Sequence, residues 1–405
     1  TTTSFVYDGA SHSVTATIGN LVNSDAVTFT YSGNTSATNV GSYTATISGL
    51  SGTKAGNYSL PSNTKQAWAI TNASVVLTVD ASKTVVYGST ATVSYKSNVA
   101  GTFAITSNST SYVTVTTGYT TSASANTAYT FTINGVKAGS GTITVKFVPT
   151  NSNYATPADK TVNVTINRAT IASVPTQKGT LTYTGSSQTP SWNNYDSVKM
   201  TVGGTTTGTN AGSYTATFTP TSNYKWSDGT TTAKNVSWTI GKATLTVTAT
   251  SKTITYGDAV PSYTYTVAGY KNGETETVIT TKPTISCSYT RYGNVGSYDI
   301  TVSGAVASNY SFSYVKGKLT VNKRVVTATW PTTTSFVYDG ASHSVTATIG
   351  NLVNSDAVTF SYTGNTSATN VGNYTATISG LSGTKAGNYS LPSNLTQKWS
   401  ITNAT

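Results

Sequence analysis

A chain of 405 residues with 27 Tyr, 35 Gly and only 9% charged residues is rich in Thr and Ser and poor in Glu, Arg, Leu and Met. That composition points to strands, where branched and aromatic side chains pack on a pleated surface, and regularly spaced aromatic and Val anchors argue against a disordered Ser/Thr stalk. The net charge of +11 comes mostly from scattered Lys, with Arg only at Arg168, Arg291 and Arg324, so no basic face argues for nucleic acid, and the single Cys287 excludes an intrachain disulfide and a Cys-based metal site.

Residues 1–72 form the first segment. It reads FVYDG, then NVGSYTATISG, AGNYSL and finally AWAIT; strands are predicted at SFVY, HSVTATI, AVTFTY, YTATIS, NYSL and WAIT, with DGA, SGN and SGLSG as turns. Residues 73–169 form a second, weaker relative. It has Tyr87-Gly88, GSGTITVKF and Asn153-Tyr154, and seven candidate strands at short spacing predict a sandwich. The third segment, 170–242, carries Tyr183, NAGSYTATF, Asn223-Tyr224 and WTI. The fourth, 243–323, carries Tyr256-Gly257, NVGSYDITV, Asn309-Tyr310 and LTV, and its acidic KNGETETV is expected to be a solvated hairpin. The fifth, 324–405, opens with RVVTATWP and then repeats the first. The first segment begins at TTTSF, so it is expected to lack that opening strand and the sequence to start inside a domain.

Two periods are superposed. Segments recur roughly every 70 to 100 residues, a compact domain size. Residues 1–74 also align without a gap with 332–405, an offset of 331, and differ only at positions 30, 32, 42, 64, 65, 67, 69 and 74. Strand ends ITN, INR, IGK and VNK run almost directly into the next strand, with no Gly/Ser or Pro tract between them. The expectation is an all-β protein: tandem Ig-like β-sandwich domains stacked in an elongated rod.

The recurring anchors are Tyr7, Gly9, Gly41, Tyr43, Tyr58 and Trp68 in the first segment and Tyr183, Gly212, Tyr214 and Trp238 in the third. They continue as Tyr256, Gly296 and Tyr298 in the fourth and Tyr338, Gly372, Tyr374 and Trp399 in the fifth. Tyr7, Tyr183, Tyr256 and Tyr338 each end a strand before a turn. They are read as rings at the edge of the core with hydroxyls satisfied by nearby backbone, against the alternative of a ligand grip. Gly41, Gly212, Gly296 and Gly372 are expected to supply a positive-φ turn or a bulge. Asn39, Asn210, Asn294 and Asn370 are expected to bond to backbone at that turn. Trp68, Trp238 and Trp399 are assigned to the core. Trp192 and Trp226, flanking loops in the third segment, are read first as packed rings and are the best candidates for the alternative, exposed rings that bind a sugar. Cys287 reads as a buried strand residue.

No HExxH, GxSxG or Walker motif is present, and His12 and His343 are one position in two copies. Twelve acids spread over five segments, mainly in turns such as those of Asp8 and Asp339, argue against a paired-carboxylate hydrolase and against calcium. No acid recurs beside Lys54 and Lys385 to support internal crosslinks. No cofactor or metal is expected. The sequons at Asn34, Asn57, Asn163, Asn235 and Asn309 are expected from composition alone, in turns and strand ends that could carry a glycan.

YDG followed by VGSYTATI, NY and a closing WxI resembles the MBG/YDG-type repeat domains of large bacterial surface proteins. The fourth segment, from ITYGD to NYSFSYVKGKLTV, is similar to the YGX variant, and the second segment resembles a bacterial Ig-like domain. The resemblance implies an extracellular, adhesin-like stalk or fibre with its binding tip elsewhere. Partners are then neighbouring domains of a longer chain, with cell-surface glycans or other copies of the chain as further candidates; neither nucleic acid nor membrane contact is expected. Two rivals stand beside the stalk: a module binding a carbohydrate or host protein, and a filament subunit held by β-strand addition.

Overall fold

A computed structural model describes residues 2–405. Among the described residues there is no α-helix; three single-turn 3-10 helices, at Ala55–Asn57, Glu276–Val278 and Ala386–Asn388, interrupt an otherwise all-β chain of Ig-like sandwiches. Contacts divide the chain into two compact units. One holds the residues up to Pro175 with Asn194–Gly203 and Thr217–Asn235; the other holds Thr176–Asn193, Gly204–Ala216 and Val236–Thr405. The division runs through three strands of the third segment, Met200–Gly204, Gly212–Pro220 and Lys234–Gly241.

One sheet plan recurs. In the first segment the strand ending at Val6 lies parallel to the closing strand Lys65–Thr71, which pairs antiparallel with Gly41–Ser51, which in turn pairs with Thr28–Gly33. The fourth segment repeats the order with Lys252–Thr255, Gly317–Asn322, Gly296–Ser303 and Thr284–Cys287. The fifth does so with Ser335–Val337, Thr396–Thr402, Gly372–Ser382 and Thr359–Gly364. The second segment, the weaker relative by sequence, shares the plan: Ser82–Val86 lies parallel to Lys160–Asn167, which pairs with Gly139–Pro149. Its seven predicted strands all form, and Leu77–Val79, Thr90–Ser97, Tyr129–Gly135 and Val113–Val115 make a full second sheet. Val93, Phe131, Ile143, Val145 and Phe147 fill the space between the sheets.

The fourth segment has a three-stranded facing sheet of Tyr265–Ala268, Ala243–Ala249 and Tyr310–Val315. In the first, third and fifth segments the facing layer is reduced to short ladders, and here the strand predictions were too generous. HSVTATI forms a strand only at His12–Ser13, paired with Ser36–Ala37, and NYSL forms none in the first segment. KNGETETV is not a hairpin; it includes the turn Glu276–Val278. Cys287 ends a strand half-buried and unpaired.

The cores of the first, third and fifth segments are built around a recurring aromatic pair. Trp68, Trp238 and Trp399 are buried, and each indole N–H donates to a backbone carbonyl, of Asn34 at 2.8 Å, Thr205 at 2.7 Å and Asn365 at 2.8 Å. Tyr43, Tyr214 and Tyr374 lie against these indoles with centroids 4.5–4.9 Å apart. Their hydroxyls donate back to Asn39, Asn210 and Asn370 carbonyls at 2.5–2.6 Å. That bond clamps the turn before the strand. In the fourth segment Leu319 stands where Trp does, and Tyr289 packs on Tyr298 instead, 5.0 Å away. The glycine at this turn has two uses. Gly212 and Gly296 have positive φ, as expected, but Gly41 and Gly372 do not. A Cβ at Gly41 or Gly372 would lie 3.0 Å from the hydroxyl of Tyr43 or Tyr374, so there the missing side chain makes room for the folded-back ring.

Removing such an indole leaves a cavity and an orphaned carbonyl. We expect Trp238→Ala to cost about 3–5 kcal/mol locally, read as accelerated amide exchange along the strand that carries Tyr214 while the Lys160–Asn167 strand of the second segment exchanges as before.

Candidate functional site at the joints between repeats

The parallel edge strand of each segment decides where its terminal Tyr goes. Backbone N–H groups of Tyr7, Tyr87, Tyr183, Tyr256 and Tyr338 donate to the carbonyls of Thr71, Asn167, Gly241, Asn322 and Thr402, at the end of the closing strand. The ring therefore sits beside the link to the next segment. Tyr7 and Tyr256 still pack against their own cores, as the sequence suggested, but the hydroxyls of Tyr7, Tyr183 and Tyr256 bond to the side chains of Asn151, Glu274 and Asp356 instead of to nearby backbone. The ring meets the Tyr of the next segment's Asn-Tyr pair edge to face. Tyr7 meets Tyr154 at 5.4 Å and 86°, Tyr87 meets Tyr224 at 5.5 Å and 76°, Tyr183 meets Tyr310 at 5.3 Å and 81°, and Tyr256 meets Tyr389 at 5.3 Å and 79°. Such pairs contribute about 0.5–1.5 kcal/mol beyond burial.

The Asn of each pair bridges backwards. Asn153, Asn223, Asn309 and Asn388 accept, through Oδ1, the backbone N–H of Val40, Ala138, Ala211 and Val295 at 2.8–2.9 Å. Three of them also donate from Nδ2 to the side-chain oxygens of Asn39, Asn210 and Asn294, at 3.0, 3.1 and 3.2 Å. Those three Asn side chains thus face the neighbouring segment instead of capping their own turn. The second segment lacks the Asn-x-Gly turn, and its joint makes the backbone bond through Ala138. Asn309 was also a glycan candidate, but its amide nitrogen is engaged in the joint.

The link itself is fastened. Ala73, Ala169, Ala243 and Arg324 pair in parallel with Tyr154, Tyr224, Tyr310 and Tyr389. In one joint Arg324 adds Nε to the Tyr256 carbonyl at 2.7 Å and Nη2 to Asp258 at 2.9 Å.

Two joints contain a carboxylate that sequence reading did not single out. Glu274 accepts from the hydroxyls of Tyr183, at 2.5 Å, and Tyr310. Asp356 Oδ2 accepts from Tyr256 at 2.8 Å and Tyr389 at 2.7 Å. Each acid ties together the two rings that the edge-to-face contact already joins. Burial first, then the hydrogen-bonded carboxylate, pushes Tyr256 and Tyr310 up to about 12 from the ordinary 10.0. The hydrogen bond to Glu274, then burial, raises Tyr183. Nothing in KNGETETV or VNSDAV announces this role; the only signal is that each acid shares a repeat with a paired Tyr.

Both copies of the first-type segment expose part of the same apparatus. Tyr338 and Val371, counterparts of Tyr7 and Val40, are 42% and 48% exposed. Asn57 is exposed where its counterpart Asn388 is buried. The proposed sugar-binding rings do not form a surface: Trp226 is 1% exposed and its indole donates to the Thr232 carbonyl, while Trp192 is half-buried in a short ladder with Gln177 opposite. Among the described residues no group of three His, Cys, Asp or Glu side chains could hold a metal ion, and no helix is long and apolar enough to cross a membrane.

Residues 245–320 match the MBG domain (YGX type), and residues 322–396 match the YDG domain. These are the fourth segment and most of the fifth, whose sequence from 332 onward recurs at residue 1. A search of curated proteins gives no match. Among solved structures, domains 4 and 5 of the S-layer protein SbsC share 23% identity over 31% of this chain, which spans 58% of theirs, at a TM-score of 0.20. SbsC domains 4–9 share 14% over 90% of this chain and 69% of theirs, at 0.21. The immunoglobulin domains 1–5 of Sidekick-1 share 11% over 100% and 96%, also at 0.21. Scores this low carry no functional weight.

Two outcomes test the joint. Asn388→Ala strands the Val295 N–H and the Asn294 amide, and we expect a loss of about 1–3 kcal/mol. Asn57→Ala, in the same local sequence but exposed, should change stability by less than about 0.5 kcal/mol. Alkali gives the second. Because the folded Tyr256 and Tyr310 hold their protons more tightly than the unfolded chain does, the stability they contribute is complete below pH 10 and is lost as pH rises through about 12. Tyrosinate absorbance followed together with circular dichroism should show those rings ionising only as the fourth segment opens, and Tyr256→Phe should shrink the alkaline loss.

Proposed function

We propose that this chain is a non-catalytic spacer segment of a repetitive extracellular protein of the bacterial surface, and that the five segments 1–72, 73–169, 170–242, 243–323 and 324–405 are its folding units. The observation that carries this reading is the joint. A single Tyr–Tyr contact and Asn bridge occurs at all four junctions, over links whose backbone is itself paired. A hinge meant to move would leave its linker solvated and its neighbours unbonded. Here the polar groups nearest each link are spent on the next segment. The MBG and YDG matches support a repeat-array setting, and the resemblance to bacterial surface proteins supports the location.

The reading that this is a binding module loses its motive with Trp226 in the core. Strand addition keeps a specific observation in its favour, an open cleft in the first segment.

Small-angle scattering of the intact chain tests the spacer. The expected result is an extended, narrowly distributed particle; the combined variant Asn153→Ala, Asn223→Ala, Asn309→Ala and Asn388→Ala should broaden the distribution of lengths while circular dichroism stays that of folded β units. A wild-type chain that is already collapsed or freely jointed would rule the proposal out.

A further inference from the structure

The first and fifth segments differ at only eight of their shared positions, yet they are packed differently. In the fifth, Thr327–Thr329 pairs antiparallel with Thr348–Gly350, with Ala328 opposite Ile349. Val326 is buried at 1% exposure, and its N–H donates to the Ser390 carbonyl at 3.1 Å. Asn394 grips the same stretch with side chain and backbone: Nδ2 donates to the Ala328 carbonyl at 2.9 Å, and its backbone carbonyl accepts the Trp330 indole N–H at 3.0 Å. The Trp330 ring meets Tyr362 edge-on at 6.2 Å. Asn351 closes the other end with a bond to the Val325 carbonyl at 2.6 Å.

In the first segment the counterparts Thr17–Gly19 form no strand, and a cleft of about 620 Å³ opens along them, lined by Val14, Ile18, Phe29, Tyr31, Ile47 and Asn63 among others. Its wall is already formed. The Tyr31 hydroxyl accepts the Ala16 N–H at 2.8 Å and donates to its carbonyl at 3.1 Å, as the Tyr362 hydroxyl does with Ala347 at 2.9 and 3.1 Å. Of the eight differing positions only Thr64 and Lys65 line the cleft. Gly19 has open space where its counterpart Gly350 meets the Thr327 side chain.

We infer that this cleft is a β-strand acceptor site. Its occupant is an extended segment of the pattern Val-x-Ala-x-Trp, running antiparallel to Thr17–Gly19. Val packs with Val27, Ala lies opposite Ile18, and Trp stands on Tyr31 with its indole N–H on the Asn63 carbonyl, as Val326, Ala328 and Trp330 do with the counterpart residues of the fifth segment. The strand's backbone supplies partners for Thr17–Gly19, and the alternating side chains supply selectivity. The inference stands on the two copies alone and does not depend on the spacer reading.

The test uses the full chain with Arg324–Pro331 duplicated directly ahead of Thr1, which restores the spacing found before Thr332. Amide exchange at Ile18 and Gly19 should slow about tenfold or more, to match Ile349 and Gly350. A fusion with the Val326 and Trp330 counterparts replaced by Asp and Ala should leave exchange fast. Added to the unmodified chain, the free peptide Arg324–Pro331 should bind once per chain, since the fifth segment is already filled. A fusion that folds but leaves Ile18 and Gly19 unprotected overturns the inference. So does protection indifferent to Val and Trp, or a concentration-dependent self-association that protects Thr17–Gly19 and that the peptide fails to displace, which would make a second copy the occupant.

Discussion

In three of the four joints the amide side chain of one Asn bonds in two directions at once, and most of the arrangement around it follows from that requirement. A buried Asn that lacks partners costs more than its bonds return, because its donor and acceptor have both been taken from water. Asn388, at 4% exposure, escapes the penalty only if Val295 and Asn294 of the preceding segment are in place. The turn that presents them is held by Tyr298, whose hydroxyl donates to the Asn294 carbonyl at 2.6 Å. That turn in turn depends on a glycine two residues before the Tyr. The chain of dependence runs from turn to ring to amide to neighbour, and it closes on the parallel edge strand that delivers the partner Tyr.

The acids in two joints extend the same logic. Asp356 and Glu274 each accept from two tyrosine hydroxyls that belong to different segments. A charged acceptor strengthens both bonds over a neutral one. It also raises those tyrosines, so the joint holds its protons through any ordinary pH. The first segment keeps the same acid: Tyr58 donates to Asp25 at 3.0 Å although Tyr58 is only half-buried. The bond within the segment therefore does not require the second ring of a joint.

Near-identical sequences in two packing states separate local from non-local causes. The Trp–Tyr pair, the Tyr31 and Tyr362 anchors and the His–Asp contacts at Asp8 and Asp339 are the same in both copies, because every group they need lies within the repeated residues. The strand Thr348–Gly350 exists in one copy alone, because its pairing partner comes from outside the repeat.

By itself the sequence determined the β character, the repeat, the core Trp and the absence of catalytic motifs, since composition, period and motif spacing are local properties. The closing strands and YTATIS strands were legible for the same reason, as alternation of apolar side chains. Only the tertiary structure decided what the exposed-looking anchors do. The Tyr7 hydroxyl and Asn39 were read as bonded within their own segment, and Glu274 as a solvated charge; each instead takes its partner from residues far along the chain. Ladder partners and joint partners are chosen by how sheets meet in space, and a polar residue in a linear pattern carries no mark of which surface will come to cover it.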